Sequence, residues 1–205
     1  MKSLLAILAA SATVLFVSAC SSSGTDGHTG GEHGTSSTAE TSTIETKPAA
    51  FNDADVTFAT DMIPHHQQAV EMSAMVPERS TNPEVIKLAA AISAAQGPEI
   101  ETLKVLLVQW SGGEGPAGHD GHDAGGMQMP GMTDDATMAK LESLKGAEFD
   151  TLWLQSMIGH HEGAIAMAKT ELADGTNADA KKIAQAIVTG QEAEITQMKQ
   201  MLGGQ

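Results

Sequence analysis

The stretch Met62-Ile63-Pro64-His65-His66 returns 95 residues later as Met157-Ile158-Gly159-His160-His161. The similarity continues on both sides of the histidines at the same offset and without a gap. Its matched pairs are Phe58/Trp153, Ala69/Ala164, Val70/Ile165, Met72/Met167, Leu88/Ile183, Ile92/Ile187, Gln96/Gln191, Ile100/Ile195 and Leu103/Met198. Such self-similarity indicates a duplicated supersecondary unit. Each copy carries a thioether and two adjacent imidazoles.

Helical signals surround the first copy. Asn52 or Asp53 can cap a helix whose apolar residues recur at helical spacing, and Pro77 followed by residues 80–83 predicts its end. A second helix is predicted from Glu84 to about Trp110, with a kink at residues 97–98, where proline removes a backbone donor. The first copy is therefore expected to form a helical hairpin.

The second copy predicts the same hairpin. Helices are expected at about 147–172 and 178–202, and a short helix at 134–144, capped by Thr133, precedes them. A single hairpin leaves part of its apolar stripe uncovered, so the two should pack as an all-α four-helix bundle. This bundle takes in residues 52–205, with repeat one at 52–110, a glycine-rich loop at 111–133 and repeat two at 134–205.

The amino-terminal segment has the features of a targeting signal. Lys2, an apolar stretch at residues 4–17 and a small-residue cleavage site predict a lipoprotein signal peptide at 1–19. Cys20, the sole cysteine, follows directly, and this context resembles a bacterial lipobox, which implies lipidation of the thiol. The alternative is an ordinary secretory signal with a free cysteine. The predicted location is extracytoplasmic, anchored to the cell membrane as a lipoprotein.

Residues 20–51 are rich in serine, threonine and glycine, and are predicted to form a flexible, disordered tether because they cannot bury enough apolar surface to fold. His28 and His33 lie in this segment, either as solvated side chains or as an accessory metal-binding arm. The formal net charge of the chain is -15, which argues against binding of nucleic acid.

Lipidation of Cys20 would leave no thiol, so any soft metal ligand must be a methionine, and the chain has 12 of them. In each copy the first histidine and the methionines three residues before it and seven after it share one helix face. Adjacent histidines diverge by about 100° on a helix, so only one of each pair is expected to face the centre. A kink or bulge at Pro64 or Gly159 is the alternative that would turn both inward. The candidate ligands are His65, His66, His160, His161, Met62, Met72, Met157 and Met167.

The loop between the copies adds further candidates. Its Met127, Met129 and Met132 can supply sulfur to the bundle, or the loop can be disordered, and His119 and His122 are open between the same alternatives. Met75 has no partner in the second copy, where Thr170 stands. For all these methionines, and above all for those of the helices, simple core packing is the competing interpretation.

Thioether and imidazole ligands together favour copper, and thioethers select Cu(I). Asp61 and Glu162 are not repeated, since Ser156 and Gln67 stand at the equivalent positions, which argues against a symmetric carboxylate di-metal centre. A free cysteine nucleophile, a Gly-x-Ser-x-Gly motif and a phosphate-binding glycine loop are all lacking. The sequence therefore predicts a copper-binding protein and not an enzyme.

The doubled Met-Ile-x-His-His motif, with Ala-x-x-Met after it and Met-Pro-Gly-Met at 129–132, resembles the family called domain of unknown function 305. The resemblance covers residues 52–202 and implies a ferritin-like helical bundle. Some relatives, the CopM-like proteins, bind copper outside the cytoplasm and support copper tolerance. The resemblance also implies that the histidine and methionine pairs of the two repeats line the site.

The expected function is sequestration or buffering of copper, favouring Cu(I), for metal tolerance. Because imidazole must be neutral to bind a metal, affinity is expected to fall below about pH 6. One alternative is a ferritin-like metal-dependent redox enzyme of the cuprous oxidase type. The other is a structural or interaction lipoprotein without a metal.

Overall fold

Five α-helices and no strand form the part of the chain that the computed structural model describes, residues 49–112 and 129–203. They are α1 (Asp53–Arg79), α2 (Pro83–Trp110), α3 (Asp135–Ser143), α4 (Gly146–Asp174) and α5 (Ala178–Gly203). The all-α prediction is thereby confirmed. The predicted signal peptide, Cys20, nearly all of the tether (residues 20–48), Met127, His119 and His122 lie outside the described residues.

Side-chain caps mark the first turns of α1, α2 and α3. The Asn52 side chain accepts hydrogen bonds from the backbone N–H groups of Ala54 and Asp55, while Asp55 accepts from the Asn52 N–H in a capping box. Asn82 caps α2 ahead of Pro83, which fits the first helical turn because it lacks a donor. The cap of α3 is Asp134, not the predicted Thr133, because the Asp134 side chain accepts from the N–H of Thr137.

The prolines inside the helices do not interrupt them. α1 remains a regular α-helix through Pro64 and past Pro77 to Arg79, and α2 continues through Pro98 to Trp110. The end predicted for α1 near Pro77 is thus right to within a turn. The bulge considered at Pro64 does not occur.

Two hairpins pack into one bundle, as the duplication predicted. α1 packs on α2 and α4 packs on α5, while contacts of α1 with α4, and fewer of α2 with α5, join the hairpins. α1 and α4 are antiparallel, since the indole N–H of Trp153 donates to the carbonyl of Met72 at 3.0 Å and the ring of His65 meets that of His160. Helix α3 lies against α4. The hydrophobic core of the bundle consists of aliphatic side chains and methionines together with Phe58, Phe149 and Trp153.

A second connection ties the start of α1 to the turn between α4 and α5. The buried Asp55 carboxylate accepts from the N–H and hydroxyl of Thr176 and from the N–H of Asn177. The Asn52 side chain also donates to the carbonyl of Asp174 at 2.9 Å. These bonds fix the register of one hairpin against the other. Among the described helices, none is long and apolar enough to cross a membrane.

Candidate metal centre

The four repeated histidines are all buried in the bundle, each with 0% of its surface exposed. His65 of α1 and His160 of α4 meet where the hairpins touch, with ring centroids 3.8 Å apart and planes inclined by 42°. The centroid of the His161 ring lies 6.4 Å from that of His160. The duplication therefore brings both histidine pairs to a single place in the molecule.

The second histidine of each pair turns toward the other helix of its own hairpin. Nε2 of His66 lies 2.8 Å from Oε2 of Glu99 on α2, and Nε2 of His161 lies 2.7 Å from Oε2 of Glu194 on α5. Only the first histidine of each pair meets the opposite hairpin, but both histidines of each pair are buried. Two adjacent side chains on a regular helix diverge by about 100°. In this bundle one of the two directions leads to the opposite hairpin and the other to the partner helix, so both histidines are buried without a bulge.

Several ring nitrogens in this cluster have no hydrogen-bond partner among the described residues: Nδ1 of His65, His66, His160 and His161, and Nε2 of His160. Burial, with a smaller contribution from the neighbouring imidazoles, lowers the pKa of His65 to about 4 and that of His160 to about 2. His65 and His160 are therefore neutral at pH 7. A neutral imidazole with an unshared nitrogen lone pair is the form that binds a metal ion.

The repeated methionines fall into two groups around the imidazoles. Met62 and Met157 precede the histidine pairs by one helical turn and are fully buried in the same core. Met72 and Met167 follow the first histidine by seven residues, about 10 Å along the helix, and lie on opposite sides of the cluster because α1 and α4 are antiparallel. The sulfur of Met72 accepts a hydrogen bond from the hydroxyl of Thr133 at 3.5 Å.

A segment from the loop, residues 129–133, lies across α1 and α4 beside the imidazoles, and is called the strap below. Its Pro130 carbonyl accepts from Nε2 of His65 at 3.1 Å. The N–H of Met132 donates to the carbonyl of Met129, and Gly131 has a φ of 81°. Proline followed by glycine at positive φ is the signature of a type II turn. The Met-Pro-Gly-Met sequence thus shapes a turn whose carbonyl reaches the site.

The strap is seated where glycine leaves room for it. A Cβ added to Gly163 of α4 would lie 2.0 Å from the Pro130 oxygen, and one added to Gly131 would lie 2.6 Å from the carbonyl oxygen of Gly159. On the α1 side, the Gln68 amide donates to the Thr133 carbonyl and accepts from the Thr133 N–H, both at 2.8 Å. The strap is therefore held on both helices that carry the histidines.

The thioethers of the strap line a separate cleft. Met129 and Met132 border an opening of about 1070 Å³ together with Pro64, Gln68 and the acidic residues Asp61, Asp134 and Asp135. Within residues 49–112 and 129–203, no group of three or more His, Cys, Asp or Glu side chains has the arrangement of a metal site. The metal-ligand assignments made from the sequence remain predictions.

Glu99 and Glu194 are the residues that sequence reasoning missed. They stand 95 residues apart, at the offset that identified the histidines, three residues after the matched Gln96 and Gln191. Asp61 and Glu162 on the histidine helices are not repeated, but Glu99 and Glu194 on the partner helices are, so the absence of repeated acids used against a symmetric carboxylate di-metal centre holds only for the histidine helices. A search of the whole repeat for matched acids would have found them.

Comparison with known proteins gives consistent results. The family model described as "Domain of unknown function (DUF305)" matches residues 55–202. A solved structure from Streptomyces coelicolor, a DUF305 protein that carries the provisional description of a secreted protein, is 38% identical with a TM-score of 0.66, over 74% of this chain and 93% of that one. A DUF305 fragment from Deinococcus radiodurans is 30% identical with a TM-score of 0.66, over 78% and 100%.

A third solved structure is CopM in its Cu(I)-bound form, which is 30% identical with a TM-score of 0.60, over 73% of this chain and 96% of that one. CopM is also known in a Cu(II)-bound and in silver-bound forms. Among curated protein sequences, no match was found.

Proposed function

The chain belongs to the DUF305 family, and we propose that this member sequesters or buffers copper, favouring Cu(I), outside the cytoplasm. The observation that carries the proposal is the cluster of four buried imidazoles with unpartnered nitrogens. Burying such groups without a hydrogen bond costs free energy. A metal ion that accepts the lone pairs of these nitrogens would offset that cost, which explains why the cluster is buried.

Sulfur donors near the imidazoles support a soft ion. Met62 and Met157 lie one turn from the histidines in the same core, and thioethers with imidazole favour Cu(I) over Zn²⁺ or Mg²⁺. The rings of His65 and His160 lie against each other with centroids 3.8 Å apart and planes inclined by 42°, so a bound ion requires the two rings to turn until a nitrogen of each faces it. CopM, a relative of similar fold, has been solved with both copper and silver ions, which are soft in their monovalent forms.

The amino-terminal sequence and the secreted description of the Streptomyces coelicolor relative support the proposed location. Cleavage before Cys20 and lipidation of its thiol would attach the protein to the outer face of a membrane, with residues 21–51 as the tether. Because more than one acyl chain anchors a protein stably, the bundle would stay at the surface where external copper arrives. The proposed role is binding without turnover.

Metal titration of the full chain tests this function. Wild-type protein is titrated with Cu(I), Cu(II) and Zn(II) against a chromophoric competitor, beside a variant with His65, His66, His160 and His161 all changed to alanine. The chain offers a matched control, the variant with the other four histidines, His28, His33, His119 and His122, changed to alanine. Tight Cu(I) binding should be lost in the first variant and kept in the second. Equal affinity in wild type and the first variant would refute the proposal.

The Glu99 and Glu194 contacts favour one second candidate, a metal-dependent redox enzyme. Ferritin-like di-metal centres combine histidine with glutamate on facing helices, and the two repeated histidine–glutamate pairs provide both residue types. Oxygen consumption after addition of Cu(I) distinguishes the two functions. Oxidation of many equivalents of Cu(I) per protein, with O₂ consumed faster than in protein-free solution, supports the enzyme, and its absence supports the buffer.

A further inference from the structure

We infer that Glu99 and Glu194 are positioning residues, which fix the tautomer of His66 and His161 so that Nδ1 of each ring is the nitrogen offered to a metal ion. The inference deepens the proposed function and rests on it for the nature of the ion. It concerns residues on α2 and α5, helices that carry none of the repeated histidines.

The contact occurs twice with nearly the same geometry. Nε2 of His66 lies 2.8 Å from the Glu99 carboxylate and Nε2 of His161 lies 2.7 Å from that of Glu194. Each histidine side chain is 0% exposed, while the two glutamate side chains are 24% and 20% exposed. An independent repeat of one contact across a duplicated unit shows that the fold maintains it in both hairpins.

The chemistry of the acceptor determines the proton position. An ionised carboxylate only accepts hydrogen bonds, so Nε2 of each ring must carry the proton. In a neutral imidazole the other nitrogen, Nδ1, then holds a free lone pair. Nδ1 of both rings is buried and has no partner among the described residues. A second proton there would place an unpaired N–H donor in an apolar core, which is costly.

A carboxylate behind a metal-binding histidine has a known physical effect. It holds the ring orientation and raises the basicity of the nitrogen that binds the metal, and its removal typically costs 10–100-fold in metal affinity. In this molecule the two glutamate side chains are partly exposed, while the Nδ1 atoms are buried. The hairpin partner helices thus contribute to the site without touching the ion.

The tautomers can be measured in the metal-free protein. Long-range ¹H–¹⁵N correlation spectra of the full chain should show His66 and His161 as neutral rings protonated at Nε2. The double variant Glu99→Ala/Glu194→Ala should lose that preference, and Glu99→Gln/Glu194→Gln should keep it, because the glutamine oxygen still accepts. Glu101→Gln/Glu192→Gln is the matched control, since these residues lie on the same helices in exposed pairs with Lys104 and Lys169. Rings protonated at Nδ1, or at both nitrogens, in the wild type would overturn the inference.

Cu(I) affinity supplies the second readout. We expect it to fall 10–100-fold in the alanine variant, by less in the glutamine variant and not at all in the control. Wild-type affinity in a folded alanine variant would overturn the inference while leaving copper binding intact. Failure of the wild type to bind Cu(I) would instead refute the proposed function, and the metal-free spectra would still decide whether the glutamates set the tautomers.

Discussion

At the scale of single residues, His160 shows most clearly that the site is not built for stability. Both of its ring nitrogens are buried and unpartnered among the described residues, and burial lowers its pKa to about 2. Carboxylates or carbonyls could have satisfied these atoms, as Pro130 does for Nε2 of His65. A buried polar group left in this state is a common property of functional sites, where stability is given up for binding.

Replacing His160 by leucine should therefore stabilise the metal-free protein, by about 1–3 kcal/mol at pH 7, because the unpaired nitrogens are removed. The gain should grow below pH 6.5. There the unfolded wild-type chain takes up a proton at His160 that the folded chain does not, so wild-type stability falls by about 1.4 kcal/mol per pH unit for each such histidine. Urea unfolding of both proteins at pH 7, 6 and 5 measures this. A less stable variant at every pH would contradict the account.

The same low pKa values revise the expected acid limit of copper binding. The sequence alone predicted a loss of affinity below about pH 6, the range of an ordinary histidine. Burial holds the pKa of His65 near 4 and the pKa of His160 near 2. Protons are therefore expected to compete with a metal ion at these two rings only in more acidic solution.

Glu171 makes the stability of the fold depend on pH in the direction opposite to His160. Its side chain is buried against Gly175, and burial together with the nearby Asp55 carboxylate raises its pKa to about 8. The folded protein thus keeps a proton that the unfolded chain loses near pH 4.5. The stability that this proton brings is complete below pH 4.5 and is lost as pH rises through about 8.

Glu171→Gln should be about as stable as the wild type at pH 4.5 and more stable at pH 8.5, because the amide cannot ionise beside Asp55. Thermal unfolding at the two pH values measures the difference. The exposed Glu192→Gln is the control and should show no pH-dependent gain. An equal change in both variants would show that Glu171 is not held protonated by its surroundings.

At the scale of elements, the strap depends on Gly163 of α4, whose surroundings differ sharply from those of Gly159. Gly163 lies under Pro130, where a Cβ would be 2.0 Å from its oxygen, while Gly159, one turn earlier, has nothing within 4 Å of the same position. Both glycines are interior residues of one helix. Replacing either by alanine should therefore raise the intrinsic stability of the helix by a similar amount, about 0.5–1 kcal/mol.

Gly163→Ala should displace the strap, lower the free energy of unfolding by about 1–3 kcal/mol and expose His65, whose bond to Pro130 would break. Gly159→Ala should raise stability instead. Unfolding by urea and the reaction rate of the histidines with an acylating reagent report the two effects. If both variants gained stability and protected His65 equally, the strap would not seal the site.

The elements also show what could be predicted from the sequence. The cap at Asn52 or Asp53, the apolar periodicity and the repeat offset predicted four long helices and their pairing, because capping and periodicity are local properties. The burial of both His65 and His66 could not be derived this way. It depends on which neighbouring helix each direction meets, and that is fixed only when the hairpins pack. Glu99 and Glu194 could have been identified from the sequence, since the same repeat offset relates them.

At the scale of the whole molecule, duplication explains why a small bundle brings four histidines together in its interior. Antiparallel packing of α1 on α4 places equivalent residues next to each other, so His65 meets its own counterpart, His160. Neither hairpin alone contains the complete cluster. The expected metal centre is therefore one that both copies share, and not one site in each copy.

Cu(I) affinity in a double-mutant cycle distinguishes one shared centre from a separate site in each copy. Wild type, His65→Leu, His160→Leu and the double variant are titrated against a chromophoric Cu(I) ligand, with circular dichroism to confirm that each is folded. A shared centre predicts that either single change abolishes the same tight equivalent of Cu(I), and that the second change adds little further loss. Two tight equivalents in the wild type, with each single variant losing one and the losses adding in the double variant, would contradict it.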